Sequence, residues 1–451
     1  MFMGSGDRLY SSWDLVRGWE GFECELRRKH ECNAKIQILG DNHHGREPEH
    51  PHPPNYGRVN AVQVSAAVKR RALDTEEGPQ QILLQTIPLS TEEGRAALPR
   101  LDDMRRNIRR HRQNHPNALP VPRTVEELEI PNGEALSLAG ERFLLHDSGR
   151  EDPHRFIIFA TDRNLRLLDN SANWFADGTF QVVPSIFFQL WTVHAVHEGR
   201  VVPLVYALLP NKTEETYSRV LRVLLEHGDF HPRTVLIDFE LAAKNAFERV
   251  FPDTAVKGCL FHLSQRIHDK IKQEGLRPLY LADNEFRVQA RMIAAIAFVP
   301  LADVERAFGA LSEIAPPELR PVLNYFEDTY VGRPQIRGNE RAPPRFPQLM
   351  WNVHEATLEG SSRTNNHVEG WHRRFQVGVG ADHQTFWKFL EKVKQEQSLQ
   401  EMTIVQAQAG APAPARRREY EQINRRLVRL VEGYANRDIL EFLRGVSYNL
   451  H

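Results

Sequence analysis

The sequence predicts an α/β protein: a mixed-sheet core with a helical insertion, a small zinc-binding β module ahead of it, and helical flanks. Three observations carry this. Between Trp174 and His262, apolar strand-like runs alternate with an amphipathic segment, TEETYSRVLRVLLEHG, and two of the runs end in carboxylates. Near the start, two cysteines and a histidine pair share one short stretch. From Phe286 to Tyr330 the chain is patterned for helices and carries few strand signals.

Composition bounds the rest. At 451 residues the chain is long for a single domain. Lys+Arg is 58 against Asp+Glu 59, a net charge of -1, so evidence for a polyanionic partner must be local. Hydrophobic content of 41% and charged content of 26% suit a globular protein. No apolar run approaches the ~20 residues that span a bilayer, so no membrane partner is expected. The start, MFMGSGDRLYSSW, lacks the basic and apolar regions of a secretory signal. Three cysteines exclude a disulfide framework and suit a reducing compartment.

Residues 1–60 form the first expected module. Cys24 and Cys32 are followed by His50 and His52 in EHPHPPN. Two thiolates and two imidazoles make a tetrahedral donor set that suits one structural Zn²⁺. The histidines of an H-x-H pair alternate sides in an extended segment, so Pro51 must help aim both inward. His30, His43 and His44 are rival ligands outside the pattern. The stretch from about residue 8 to 55 resembles the FLYWCH zinc finger, although Phe22 stands where that family usually has tryptophan, and its earlier aromatics are not clearly placed among Tyr10, Trp13 and Trp19.

Residues 61–150 read as a basic, mainly helical DNA-binding segment. The pattern is helical through VNAVQVSAAVKRRALDT and extended through QQILLQTIPL. Residues 100–123 then hold seven Arg against two Asp. Arg105, Arg106, Arg109, Arg110 and Arg112 recur at helical spacing before Pro116 and Pro120 end the helix, and they are the candidate phosphate contacts.

The core is expected over 151–275, starting with a hairpin-like RFIIFATDRNLRLLD. Asp177 ends an apolar run in WFADGTF. A strand pair, the amphipathic helix and a short buried strand, TVLIDFE, lead to Asp238. TAVKGCLFH follows, with Cys259 and His262, and precedes another helix. Much later, RTNNHVEGWHRRF places Glu369 at a helix start, so the gap from Asp238 is about twice that from Asp177 to Asp238. Such an excursion needs structure of its own, hence a helical insertion over 276–355, with the helix carrying the third acid in 356–400. This is the element order of a ribonuclease-H-like fold, in which the three positions converge at one end of the sheet. Three carboxylates so placed suit two Mg²⁺ or Mn²⁺ ions, because hard cations take oxygen ligands and keep waters and substrate phosphates.

DGTF, the IDFE strand end, CLFH and TNNHVEGWH together resemble the motifs of Mutator-like (MULE) DDE transposases, over roughly residues 155–395. The resemblance implies that Asp177, Asp238 and Glu369 form a catalytic triad for metal-dependent DNA cleavage and strand transfer at transposon ends. It implies active-site support from the C-x-x-H pair Cys259 and His262; zinc binding by that pair is not expected, for want of a second nearby Cys/His pair. It also implies a nuclear protein acting on DNA, as a homo-oligomer. The alternative is a domesticated, non-catalytic zinc-finger regulator that kept the fold; a plain nuclease fits the appended modules less well. In 401–451, a linker, QAQAGAPAPA, precedes a basic helix carrying Arg416, Arg417, Arg418, Arg425, Arg426 and Arg429. Its apolar stripe is expected to pack on something, another subunit included.

Overall fold

The computed structural model describes residues 2–450 except 5–7, 17–18, 40–41, 45–48, 76, 114–118, 336–340, 380–384, 414 and 416–417, with backbone alone over 2–4, 8–16, 19–21, 38–39, 42–44 and 113. Pro116, Arg416 and Arg417 therefore lie outside the described residues, as do the side chains of Tyr10, Trp13, Trp19, His43 and His44. The chain forms two compact units, Met1–Pro120 and Val121–His451.

The first unit opens with an antiparallel sheet whose strands pair in chain order. They are β1 (Phe2–Gly4), β2 (Arg8–Val16), β3 (Trp19–Cys24), β4 (Lys35–Leu39) and β5 (Asn42–His44), with the short α1 (Arg27–His30) between β3 and β4. Phe22 faces Ile36 across β3 and β4, and both are buried. Helices α2 (Tyr56–Asp74), α3 (Pro79–Thr86), α4 (Glu92–Ala97) and α5 (Leu101–Gln113) follow. Val64, Val68, Ile82, Leu83, Met104 and Ile108 make their shared core. The extended reading of QQILLQTIPL is overturned. Pro79 sits in the first turn, where its fixed φ suits a helix, and Ile82, Leu83 and Thr86 bury one helical face.

The second unit is built on a mixed seven-stranded sheet. In chain order it contains β6 (Leu144–Asp147), β7 (Ile157–Phe159), α6 (Asp162–Asp169), β8 (Asn173–Thr179), β9 (Gln189–His197), β10 (Arg200–Leu209), α7 (Glu214–Leu225), β11 (Thr234–Ile237), α8 (Leu241–Val250), β12 (Ala255–Gly258) and α9 (Leu260–Gln273). The strand order is β12-β11-β8-β9-β10-β7-β6, with β12, β11 and β8 mutually parallel. The expected hairpin in RFIIFATDRNLRLLD is a strand and a helix instead. Thr161 accepts a hydrogen bond from the Asn164 N–H as N-cap, and Leu165 and Leu168 are buried at helical spacing.

Side-chain alternation in the strands separates two cores. On β10, Val205, Ala207 and Leu209 face one core, while Tyr206 and Leu208 face the other. The larger core is covered by α7, α8 and α9 and continues into a helical region: α10 (Arg277–Ala282), α11 (Asn284–Ala295), α12 (Val304–Ile314), α13 (Arg320–Phe326), α14 (Gln348–Trp351) and α15 (His354–Leu358). The smaller is covered by α16 (Asn366–Val379) and α17 (Phe386–Gln408), with Trp371, Phe375 and Phe389 packed on the sheet. A buried amide pair, Asn164 and Gln397, ties α17 to α6. Finally, α18 (Arg418–Glu432) and α19 (Ile439–Ser447) close onto the helical region. The apolar stripe of α18, Ile423, Leu427 and Val431, joins the larger core, so it finds its partner within this chain. Among the described residues no helix is long and apolar enough to cross a membrane.

Candidate functional site

The parallel strands β8 and β11 pair from Asn173/Thr234 to Phe175/Leu236, so Asp177, two residues beyond the last pair on β8, and Asp238, the residue after β11, emerge at the same end of the sheet. Asp177 lies opposite Thr192 of β9. Its Oδ1 accepts the Gly178 N–H at 2.7 Å, and its Oδ2 is 3.2 Å from His372 Nδ1. Gly178 allows a close approach: a Cβ there would sit 2.6 Å from Oε1 of the buried Gln189, whose amide would have to shift. Asp238 follows β11 directly, and its Oδ1 accepts a hydrogen bond from Asn365 Nδ2 at 3.0 Å. The ring of Phe239 packs against Gly258, where a Cβ would meet it at 2.6 Å, fixing the turn that carries Asp238.

Glu369 comes from the first turn of α16, after the helical region has returned the chain to the sheet. His262, on α9, sits between the acids: Nδ1 is 2.8 Å from Asp238 Oδ1 and Nε2 is 3.4 Å from Glu369 Oε1. Burial works against the imidazolium, but interactions with its neighbours, the Asp238 carboxylate first and then Cys259, outweigh it and hold the His262 pKa up at about 10. The Glu369 carboxyl is pushed above its ordinary range by burial, opposed by His262 and Arg373 and reinforced by Asp177 and Asp238. Each acid is thus within electrostatic reach of the others. Glu369 Oε1, Asn365 Oδ1 and His262 Nδ1 are buried atoms without a well-directed hydrogen bond, the last despite its closeness to Asp238.

Several residues at this site escaped the sequence reading. His372 lies one turn beyond Glu369 on α16, and the E-x-x-H spacing that puts both on one face was the available signal. Its Nε2 is 3.1 Å from Thr192 Oγ1, which is 2.9 Å from Nε2 of the buried His194. Burial, then the charges of His372 and Arg374, hold His194 neutral. Glu240, two positions past Asp238, stands immediately ahead of α8. It makes no side-chain cap to α8; it is half-buried against the Tyr217 hydroxyl at 3.3 Å. Burial raises its pKa, Lys212 and Tyr217 oppose this, and Asp238 and Asp177 add to it, so it belongs to the acidic cluster.

Cys259 is buried at the N-cap of α9, and its Sγ accepts the Asn365 N–H at 3.4 Å. The Cys259, His262 and Glu369 ligand atoms lie within 4.8 Å of one another, so the third donor that a C-x-x-H pair lacks is supplied by an acid far away in sequence. Asp177, Asp238 and Glu369 offer the oxygen donors that hard divalent cations such as Mg²⁺ or Mn²⁺ take, and Glu369 Oε1 is buried with no hydrogen bond, facing His262 at 3.4 Å; of the three acids only Glu369 lies in that tight group.

In the first unit, Cys24, Cys32, His50 and His52 converge, with all four ligand atoms within 4.8 Å of one another. Cys24 Sγ is 3.3 Å from His52 Nε2, and Cys32 Sγ is 3.3 Å from His50 Nδ1. His52 Nδ1 donates to the Pro53 carbonyl at 3.0 Å, so Nε2, which faces Cys24 Sγ, carries the ring's lone pair. This closed N/S set fits a structural zinc ion. His30 stacks on His52 at 5.2 Å between ring centroids and is no part of the set.

The arginine segment divides. Arg106, Arg109 and Arg110 are exposed, Arg106 pairing with Asp103 at 3.4 Å; burial, then Lys69 of α2 and Arg110, push the His111 pKa down. Arg105 is held by Gln80 and Asp102. Arg112 is turned inward: it donates to the carbonyls of Ala72, Thr75 and Glu77 at 2.6 to 2.8 Å and closes the end of α2. Its geometry is that of a structural cation rather than a phosphate contact.

Residues 173–266 match the MULE transposase domain. The match spans Asp177, Asp238, Cys259 and His262 and stops before Glu369. It supports a transposase or a transposase-derived protein. No curated protein matches the chain.

Proposed function

We propose that this chain is a MULE-type DDE transposase, or a protein derived from one, with a ribonuclease-H-like core that cleaves DNA at transposon ends and transfers the strand. The observation that supports it most is the convergence of Asp177, Asp238 and Glu369, from three distant stretches of sequence, on one end of the mixed sheet, with Glu369 Oε1 buried, without a hydrogen bond and 3.4 Å from His262. These three acids would hold two Mg²⁺ or Mn²⁺ ions, which when bound supply Lewis-acid charge to an in-line displacement at phosphorus. Water is the nucleophile of the cleavage and the freed 3′-hydroxyl that of the transfer. His372, braced by Thr192 and His194, orients the Asp177 carboxylate, and Asn365 orients that of Asp238. His262 lies between Asp238 and Glu369, where its ring nitrogens can orient both carboxylates.

The first unit would be a FLYWCH-type module with one zinc ion on Cys24, Cys32, His50 and His52. Arg106, Arg109 and Arg110 would contact DNA phosphates. The described residues form one such acid cluster at the sheet end, and processing two ends would use one from each of two copies, a homo-oligomer working in the nucleus. The rival, a regulator without catalysis, gives the gathering of three half-buried acids at one end of the sheet no task.

The test is Mn²⁺-dependent nicking of DNA by the full chain and by Asp177→Asn, Asp238→Asn and Glu369→Gln. Each variant should lose about 10³-fold or more in rate, with zinc content and folding unchanged. Any two together should be no worse than one, because groups acting as a unit fail together. Undiminished nicking in all three variants would refute the reading. Nicking that survives Glu369→Gln but not Glu240→Gln would move the third acid to Glu240.

A further inference from the structure

The acid cluster is polar, yet its rim exposes large aromatic rings that contribute little to either core. Phe180, three residues past Asp177, is 44% exposed; Phe188, just before β9, is 46% exposed; Phe261, on the first turn of α9, is 41% exposed. Scattered exposed apolar residues need no explanation, but three at the mouth of one polar site do. The Phe180 and Phe188 rings meet edge to face at 5.3 Å, and Lys212 Nζ lies 5.9 Å from the Phe180 centroid. Phe261 lies beside His262, ring centroids 5.5 Å apart.

The strand order arranges these groups in a row. Along one end of the sheet come Phe261 after β12, Asp238 after β11, Asp177 near the end of β8, Phe180 and Phe188 at the β8–β9 ends, and Lys212 after β10. Four inter-strand spacings make this row about 19 Å long. Two cations border the acids without a salt bridge among the described residues. Lys212 acts on Glu240, and Arg373, exposed and one turn past Glu369, acts on Glu369.

Rings at both ends, carboxylates between them and cations alongside match the demands of an unpaired polynucleotide. Its bases offer π faces to aromatic side chains, and its phosphates seek positive charge. A closed duplex hides those faces in its stack. We propose that this rim binds single-stranded nucleic acid on both sides of the scissile phosphate, with bases stacked on the Phe180/Phe188 pair and on Phe261 and the backbone guided by Lys212 and Arg373. The inference rests on the proposed function for the phosphate it brackets. It adds that the strands are splayed at the site before chemistry.

The experiment uses the full chain without Mg²⁺, so that cleavage does not intervene, and a mixed-sequence single-stranded oligonucleotide carrying one 2-aminopurine. Phe180→Leu with Phe188→Leu, and separately Phe261→Leu, keep apolar bulk and remove the π face. Each should weaken binding by about 5- to 150-fold per base unstacked and shift the 2-aminopurine signal towards that of free DNA. The salt slope should not change. Phe180→Tyr should retain affinity, which a space-filling role would not require. Lys212→Gln and Arg373→Gln should each flatten the log–log salt dependence by about 0.7. Leucine variants that bind as tightly as the wild type would overturn the inference, as would leucine variants that change only self-association, because a second copy would then be what covers the rim. If the wild type stacks the bases but never nicks DNA, the proposed function falls and this inference stands. If the wild type nicks DNA and the leucine variants bind it unchanged, the reverse holds.

Discussion

Replacing His52 by alanine should strip the first unit of its metal and of much of its stability. Tetrahedral zinc with Zn–S of about 2.3 Å and Zn–N of about 2.0–2.1 Å sets S···N edges of about 3.5 Å. The two observed edges are 3.3 Å each, so an ion enters with only a small expansion of the cluster. Apparent binding free energies of structural zinc are about 10–16 kcal/mol in small fingers, as large as the whole net stability of about 5–15 kcal/mol typical of a domain. Losing the ion should therefore abolish an independent unfolding transition of Met1–Pro120 rather than merely lower it. The assay is metal content per chain after gel filtration, combined with calorimetry. The wild type, and His30→Ala, should carry one zinc; His52→Ala and Cys32→Ser should carry almost none. A strong chelator should remove the same transition from the wild type and leave that of Val121–His451 in place. A wild type free of zinc, a His52→Ala protein with full zinc, or a transition indifferent to the chelator would each refute the reasoning.

Two further outcomes follow from single contacts. Charge reversal at Arg109 and Arg110 should reduce the salt slope of duplex binding by about 1.8, whereas Arg112→Ala should leave that slope unchanged and destabilise the first unit by about 2 kcal/mol by unpairing the carbonyls it closes. In the second unit, burial works against the Asp152 charge, but the Arg219 guanidinium, with the Ser148 hydroxyl and the His154 N–H, outweighs it and holds the carboxyl down at about 2. Because the folded pKa is depressed, that stabilisation is complete above about pH 4 and is lost as pH falls towards 2. Asp152→Asn should cost about 1–2 kcal/mol at neutral pH and flatten the acid limb of the denaturation profile between those values. An unchanged limb would show that Arg219 gains nothing from the charge.

How much of this was legible depended on whether local signals and tertiary need agreed. The order of β8, β9, β10, α7 and β11 could be read because apolar runs and turn residues coincide there, and with it came the positions of Asp177 and Asp238. Two segments were misread where capping outweighed composition. Thr161 starts a helix in the middle of an apolar stretch, and Pro79 starts one in a run rich in isoleucine and leucine. Roles that require knowing what lies opposite were invisible. Glu240 looks like any acid ahead of a helix, and only the sheet brings it beside Tyr217 and the two aspartates. Arg112 belongs to a regular arginine pattern, and nothing local tells that the end of α2 stands in front of it. His372 was accessible from its spacing to Glu369 but needed β8 and β9 to give it partners.

The long helical passage between β12 and α16 has a consequence for the order in which the molecule becomes what it is. Two acids are in place once β11 has joined β8, but the third arrives only after α10 to α15 have been made and packed. Closing so distant a contact is slow relative to local pairing, and it depends on everything threaded between. A chain emerging from the ribosome can thus complete most of its sheet while still unarmed. On the proposed function, cations that need all three carboxylates would find no full set of ligands on it, and an early stop anywhere before Glu369 would yield a product that folds in part yet lacks the third acid. The reach of the chain would then act as a safety catch, held until α16 has been made.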